Sequence, residues 1–475
     1  MRNIYSQMPL AGIYDDVTSA FEKDKPMFLQ MLDDYIDFDN LIPYEFHMAF
    51  YRNYGRPHDY YLDEFIRFFV LQKLLGVPTD SLMLHILTLS YELREFCGFS
   101  KVPDAPMISR FRQNFVGYLK AMFDKLVDIT EPICREINEK KADYLIYDTT
   151  GIEAYVAENN PKFLNTILNN CKKYAKGKPD INPHLLAYSK MPDVSETNPF
   201  AKQQYINGHF CYAFKAGILA NGLGIVRDIA FFDDTFKYNH PEIVSQKTDN
   251  PDLDKEIGDS TSLKPVLEDF FYEHPGVSYK TFIGDSAFDT YDNFKMLRDD
   301  FHFDRVVIPL NNRNSSKSHG IYNDDGVPVC PIDGTPFKYI GPAGGRNRSE
   351  RFKWICHQSN LIPGTTHRIC TCPTPCTTAI GGKYAYTNPN KDFRLCPGIP
   401  RGTEHWDNLY RHRVTIERTI NLLKDPYSIE YRKSYSMRTA KADLLFAGIT
   451  QLIGVVLAHA VHKPALYRSI RKLIA

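Results

Sequence analysis

The spacing of apolar and polar residues divides the chain into stretches of different period. In "LDEFIRFFVLQKLLG" apolar residues recur at helical intervals and stop at Gly76. "DSLMLHILTLSYELREFCGF" repeats that pattern, and "PDAPMISRFRQNFVGYLKAMFDKLVDIT" begins a further helix after a Pro-rich turn. Residues 1–140 are therefore expected to form a helical N-terminal domain. Short helices joined by tight turns suit either a helix-turn-helix unit or a plain helical bundle. Ser109, Arg110 and Arg112 are expected to open the last helix, where side chains and backbone N–H groups can meet phosphate.

At Asp143 the period changes. "YLIYDTTG" predicts a short strand ending in Asp148, and "GHFCYAFKAGILANGLGIVRDIAFF" predicts two strands joined by a turn at Asn221–Gly224. "LKPVLEDFFYEH" is helical, "SYKTFIGDSAFD" is a strand ending at Asp285, and a helix and the strand "DRVVIPLN" follow. This order predicts an α/β layer over residues 141–311. Residues 312–405 are rich in Gly, Pro, Ser, Asn and Cys, with short runs such as "RFKWICH"; they read as a small β-rich insertion. The interrupted domain resumes over 406–475 with the helix "LYRHRVTIERTINLLKDP". The most apolar run, "LLFAGITQLIGVVLAHAV", is long enough to raise the question of a membrane span. Thr450, Gln451, His459 and two glycines interrupt it, so a buried helix and no membrane partner are expected.

Composition adds little, and distribution adds more. Of the 475 residues 43% are hydrophobic and 24% charged, an ordinary soluble composition, and the net charge is zero. Residues 1–100 hold 8 Lys+Arg against 15 Asp+Glu, whereas residues 401–475 hold 13 against 6. The basic C-terminal end suits a phosphate-bearing partner; the acidic N-terminal end argues against a generic DNA-binder. "MRNIYSQMPLAGIYDD" lacks a basic region followed by an apolar block, and ten cysteines suit a reducing, cytoplasmic compartment.

Candidate chemistry lies in three carboxylates. Asp148 and Asp285 each end a predicted strand, and ligands of α/β sheets gather at such ends. Adjacent strands run ~4.8 Å apart, close enough for two carboxylates to share a cation. Glu417 can join them from a flanking helix. On one straight helix Tyr410, Arg413, Glu417 and Lys424 fall within about 60° of one another. Three carboxylates suit Mg²⁺, and a metal pair ~3.5–4 Å apart would activate an attacking oxygen and stabilise a leaving one. Arg413 and Lys424 would then hold phosphate, with Tyr410 adding a hydrogen bond. The plainer alternatives are an i, i+4 Arg413–Glu417 pair on a solvated face and strand-terminal aspartates that cap turns.

Tyr410, Arg413, Glu417 and Lys424 complete the pattern Y-x2-R-x3-E-x6-K, and with "LIYDTTGIEA", "IGDSAFDTYDN" and "PDAPMISRFRQNF" the chain resembles the DDE transposases of bacterial insertion sequences. The resemblance implies a ribonuclease-H-like catalytic domain interrupted by a β-rich insertion. It implies Asp148, Asp285 and Glu417 as catalytic metal ligands for two Mg²⁺ or Mn²⁺ ions. It further implies cleavage of DNA at terminal inverted repeats, joining to target DNA, a homodimer on DNA and location at the bacterial nucleoid. A non-catalytic transposase-derived DNA-binding protein, or a ribonuclease-H-type nuclease without strand transfer, are the alternatives. Trp354 and Trp406 are candidates to stack on a flipped base, each set against a packed indole. Six cysteines fall between Cys330 and Cys396; with His357 and His367 they suit either a zinc site, whose four ligands the spacing does not single out, or free buried thiols. His209, Lys215 and His240 lie between the two aspartates, His240 set between an approach to the metal site and a surface role.

Overall fold

The computed structural model describes residues 27–468 except 53–57, 193, 207–208, 244–256, 312–320, 346–347 and 432–433. The chain forms two compact units. One is drawn from Met1–Ile133, Ile152–Asn159 and Asn421–Ala475, the other from Cys134–Gly151 and Asn160–Ile420.

The first unit starts with helices α1 (Met27–Tyr35), α2 (Phe38–Leu41), α3 (Tyr44–Phe50), α4 (Leu62–Leu75), α5 (Asp80–Leu89), α6 (Tyr91–Cys97) and the long α7 (Ala105–Ala142), which from Cys134 on belongs to the second unit and whose helical backbone is broken at Asn138. Local signals set their ends. The Glu64 carboxylate accepts the Tyr61 N–H at 2.8 Å at the start of α4, and Gly76 closes that helix at φ +64°. The Thr79 and Ser90 hydroxyls cap α5 and α6. One expectation is corrected here. Arg110 and Arg112 do not open α7: it begins at Ala105, and the Asp104 carboxylate already accepts the Met107 N–H at 2.8 Å.

The second unit is built on a mixed sheet. Its strands are β1 (Tyr144–Glu153), β2 (Lys202–Ile206), β3 (His209–Asn221), β4 (Val226–Phe231), β5 (Thr281–Ile283) and β6 (Arg305–Val307). Between them lie α8 (Pro161–Ala175), α9 (Pro183–Ser189), α10 (Asp234–Asn239), α11 (Leu263–Glu273) and α12 (Tyr291–Asp299). The order is β2-β3-β1-β5-β6, with β4 also paired to β3. β1, β5 and β6 are parallel; β2, β3 and β4 pair antiparallel. The β3–β4 turn forms because the Asn221 side chain accepts the Leu223 and Ile225 N–H groups at 3.1 Å, and Gly224 takes φ +79°. β2 escapes a reading of the sequence, because "KQQYI" carries no apolar alternation. β1 does not end at Asp148 but runs on to Glu153.

The cysteine-rich segment holds β7 (Lys338–Gly345), β8 (Arg348–Ile355), β9 (Ser359–Leu361), β10 (Arg368–Cys370) and β11 (Tyr384–Thr387). They pair as a three-stranded sheet, β11-β8-β7, and a two-stranded one, β10-β9. Val327, Cys330, Phe337, Phe352, Trp354 and Cys356 fill its small core. Beyond it stand α13 (Glu404–Tyr410), a 3₁₀ turn (Arg411–Arg413) and α14 (Val414–Lys424). The single straight helix expected there is thus broken by a tighter turn.

The last helix, α15 (Met437–Ala460), is the one described helix long and apolar enough to cross a membrane, and 89% of its most apolar window is buried in the protein. It belongs to the first unit, where Phe446 stacks on Phe69 of α4 with centroids 4.3 Å apart. Asp443 lies 2.9 Å from Arg112 and 3.5 Å from Lys73, and Arg112 also pairs with Asp80. The helix is apolar on every face, as suits one buried in a core; the charged residues it buries are tolerated because each finds an opposite charge.

Candidate active site

Parallel pairing brings the two aspartates level. Tyr144, Leu145 and Ile146 of β1 pair with Thr281, Phe282 and Ile283 of β5. Carried two residues further, that register sets Asp148 opposite Asp285, both on the face shared by Ile146 and Ile283. The two side chains are oriented alike. Asp148 Oδ1 accepts the Thr149 N–H at 2.8 Å, and Asp285 Oδ1 accepts the Ser286 N–H at 2.5 Å. Asp285 thereby caps the 3₁₀ turn Ser286–Phe288. Each aspartate keeps its Oδ2 for Arg413.

Arg413 gathers the site. Its Nη2 lies 2.8 Å from Asp285 Oδ2 and 3.7 Å from Asp148 Oδ2, while Nη1 lies 2.6 Å from Glu417 Oε1. The i, i+4 pair with Glu417 is present, but the same guanidinium also holds both strand carboxylates. Glu417 sits in the first turn of α14, where the helix dipole favours an anion.

The electrostatics leave negative charge in excess. Burial pushes the Asp148 carboxyl up to about 6; the Thr149 N–H and Arg413 oppose the shift, and Asp259 and Asp285 add to it. Burial works against the Arg413 cation, yet Asp285, Asp148 and Glu417 outweigh it and hold its pKa above the ordinary value. Burial also raises the Tyr410 hydroxyl, opposed by Arg413. Among the described residues no group of three or more His, Cys, Asp or Glu is drawn together at one point to hold an ion. The carboxylates meet on Arg413 instead. Their all-oxygen donors and surplus negative charge fit a hard divalent cation.

The remaining candidates scatter. Trp406 is half-buried and stacks on Tyr410, with centroids 5.2 Å apart and planes at 21°. Trp354 is 2% exposed and donates its Nε1–H to Thr387 Oγ1 at 2.8 Å, which makes it a core residue of the inserted sheet. Arg112 is buried against Asp80 and Asp443, so its guanidinium is not presented to a phosphate; Arg110 is exposed. Lys424, the last residue of α14, is buried rather than open, and its carbonyl accepts the Ile429 N–H at 2.7 Å where the chain turns back. His240 lies 3.2 Å from Asp269 on the surface, and the side chain of His209 lies outside the described residues. All ten cysteines are free. Burial raises the thiols of Cys356 and Cys396, the latter to about 11, and Cys372 Sγ donates to the Thr374 carbonyl.

One acidic residue near the site went unread in the sequence. Asp259 accepts the Thr149 hydroxyl at 2.7 Å and pairs with Lys215 at 2.6 Å. It stands in "IGDSTS", a stretch without periodicity or motif, and only the fold brings it to β1.

Residues 16–114 match the family described as Transposase domain (DUF772). The matched stretch is less than half of the chain. No curated protein matches this sequence. Among solved structures the chain is similar to one described as a cryo-EM structure of piggyBac transposase synaptic complex with hairpin DNA. That likeness has 13% sequence identity and a TM-score of 0.38, and covers 94% of this chain and 78% of the other.

Proposed function

We propose that the chain is a DNA transposase of the DDE type, with Asp148, Asp285 and Glu417 as the catalytic carboxylates of a ribonuclease-H-like domain. The observation that carries this reading is the meeting of all three on Arg413, although more than 130 residues separate each from the next. The transposase-domain match over residues 16–114 supports it independently. In this reading residues 1–140 serve DNA-end binding, 141–311 and 406–475 catalysis, and 312–405 form the insertion.

Asp148, Asp285 and Glu417 would hold Mg²⁺ or Mn²⁺, and a bound pair supplies an activated oxygen nucleophile and stabilisation of the leaving oxygen. The chain's own residues do the rest. Thr149 and Ser286 fix one oxygen of each aspartate and leave the other facing the site. Arg413 draws the three carboxylates together, and would fork onto a backbone phosphate on giving up part of that hold. The Trp406–Tyr410 stack forms an aromatic ledge on the same stretch of chain. The substrates are terminal inverted repeats and target DNA, and the working species is a homodimer assembled on DNA.

Purified protein with Mg²⁺ should cleave DNA carrying the ends of its own element and join the cut ends to a target duplex. Glu417→Gln should reduce cleavage to background and leave DNA binding intact. Cleavage that survives this substitution would refute the role of Glu417; cleavage without joining would leave a nuclease in place of a transposase.

A further inference from the structure

Both neighbours of Asp148 grip one short turn, residues 259–262. Tyr147 and Thr149 alternate with Asp148 along β1 and so point to the opposite face. Tyr147, 1% exposed, places its hydroxyl 2.7 Å from Ser262 Oγ, which in turn donates to the Asp259 carbonyl at 2.7 Å. Thr149 Oγ1 donates to Asp259 Oδ1 at 2.7 Å. Lys215 of β3 holds the same carboxylate oxygen at 2.6 Å and donates to the Ile257 carbonyl at 2.6 Å.

The two strand aspartates are therefore steadied differently. At Asp285 the next residue suffices: the N–H and hydroxyl of Ser286 both reach its Oδ1, at 2.5 and 3.1 Å. At Asp148 only the N–H of the next residue does so, because the Thr149 hydroxyl is turned to Asp259. The orientation of Thr149, and with it that of Asp148 Oδ1, depends on a carboxylate more than a hundred residues away.

We propose that Asp259, held by Lys215, is a positioning residue for Asp148 that acts through the Thr149 hydroxyl. The proposal rests on the reading of Asp148 as a metal ligand. Mn²⁺ uptake by the full-length chain, followed by loss of the free-Mn²⁺ EPR signal, separates the two. Asp148→Asn should abolish the uptake. Asp259→Asn and Thr149→Val should weaken it roughly 10–100-fold, the usual effect of removing a partner of a ligand. Thr149→Ser, which keeps the hydroxyl, should restore it. If Asp148→Asn abolishes uptake while Asp259→Asn and Thr149→Val bind as the wild type does, the proposal is overturned and the metal-site reading stands. If Asp148→Asn also binds as the wild type does, both fall. Should Asp259→Asn fail to fold, the Thr149→Val and Thr149→Ser pair decides alone.

Discussion

One guanidinium can serve three carboxylates because its N–H groups lie in a planar fork with donors on two ends. Arg413 uses one end for Glu417 and the other for Asp285 and Asp148. A lysine ammonium also has three N–H donors, but they radiate from a single point rather than from two ends. The arrangement leaves Asp148 short of positive charge, and this has a measurable sign. Burial holds its folded pKa at about 6, against ~3.9 in an unfolded chain. Its stabilising contribution is thus fully present below about pH 4 and is lost as pH rises through about 6. In metal-free buffer Asp148→Asn, neutral throughout, should be more stable than the wild type above pH 6 by on the order of 2 kcal/mol, the gap closing toward pH 4. Urea denaturation at pH 4.5 and 7.5 measures it, and a gap that does not change with pH would sink this account.

At the scale of elements, the site depends on how strands are paired and how closely they approach. The β1–β5 register sets the aspartates level, and β3 passes so near Tyr147 that a Cβ at Gly217 would lie 2.6 Å from its hydroxyl. Gly217→Ala should displace Tyr147, loosen its hold on Ser262 and cost ~1–3 kcal/mol, as overpacking of a tight core does. Chemical denaturation checks this, and a neutral result would mean that the strand can shift without penalty. The hairpin at Asn221–Gly224 was legible because its turn chemistry is local. The extent of β1 was not, since β1 runs past the last residue paired with β5 and nothing in "YDTTGIE" marks that edge. The 3₁₀ turn at Arg411–Arg413 was equally hidden: it changes the step between Tyr410 and Arg413 without altering residue types.

Across the whole molecule, sequence distance is a poor guide to proximity. Asp443 of α15 meets Arg112 of α7 and Lys73 of α4 in the buried interior of the first unit. Asp443→Ala should therefore take a buried carboxylate from Lys73 and leave Arg112 with that of Asp80, and cost ~3–5 kcal/mol, read as a lowered urea midpoint; a change under ~1 kcal/mol would show that water or other partners replace it. The sequence alone determined the alternation of helical and strand-forming regions, the burial of the apolar run in α15, the cysteine-rich β segment and the identity of the carboxylates worth watching. All of these follow from periodicity, turn chemistry and residue type, which act within a few positions of the chain. Only the tertiary structure decided that Arg112, Trp354 and Lys424 would be buried, that Arg413 would hold three carboxylates, and that Asp259 would steady the residue beside Asp148. These depend on which distant segments come to share a surface, and burial and charge pairing are properties of that shared surface rather than of any one stretch of chain.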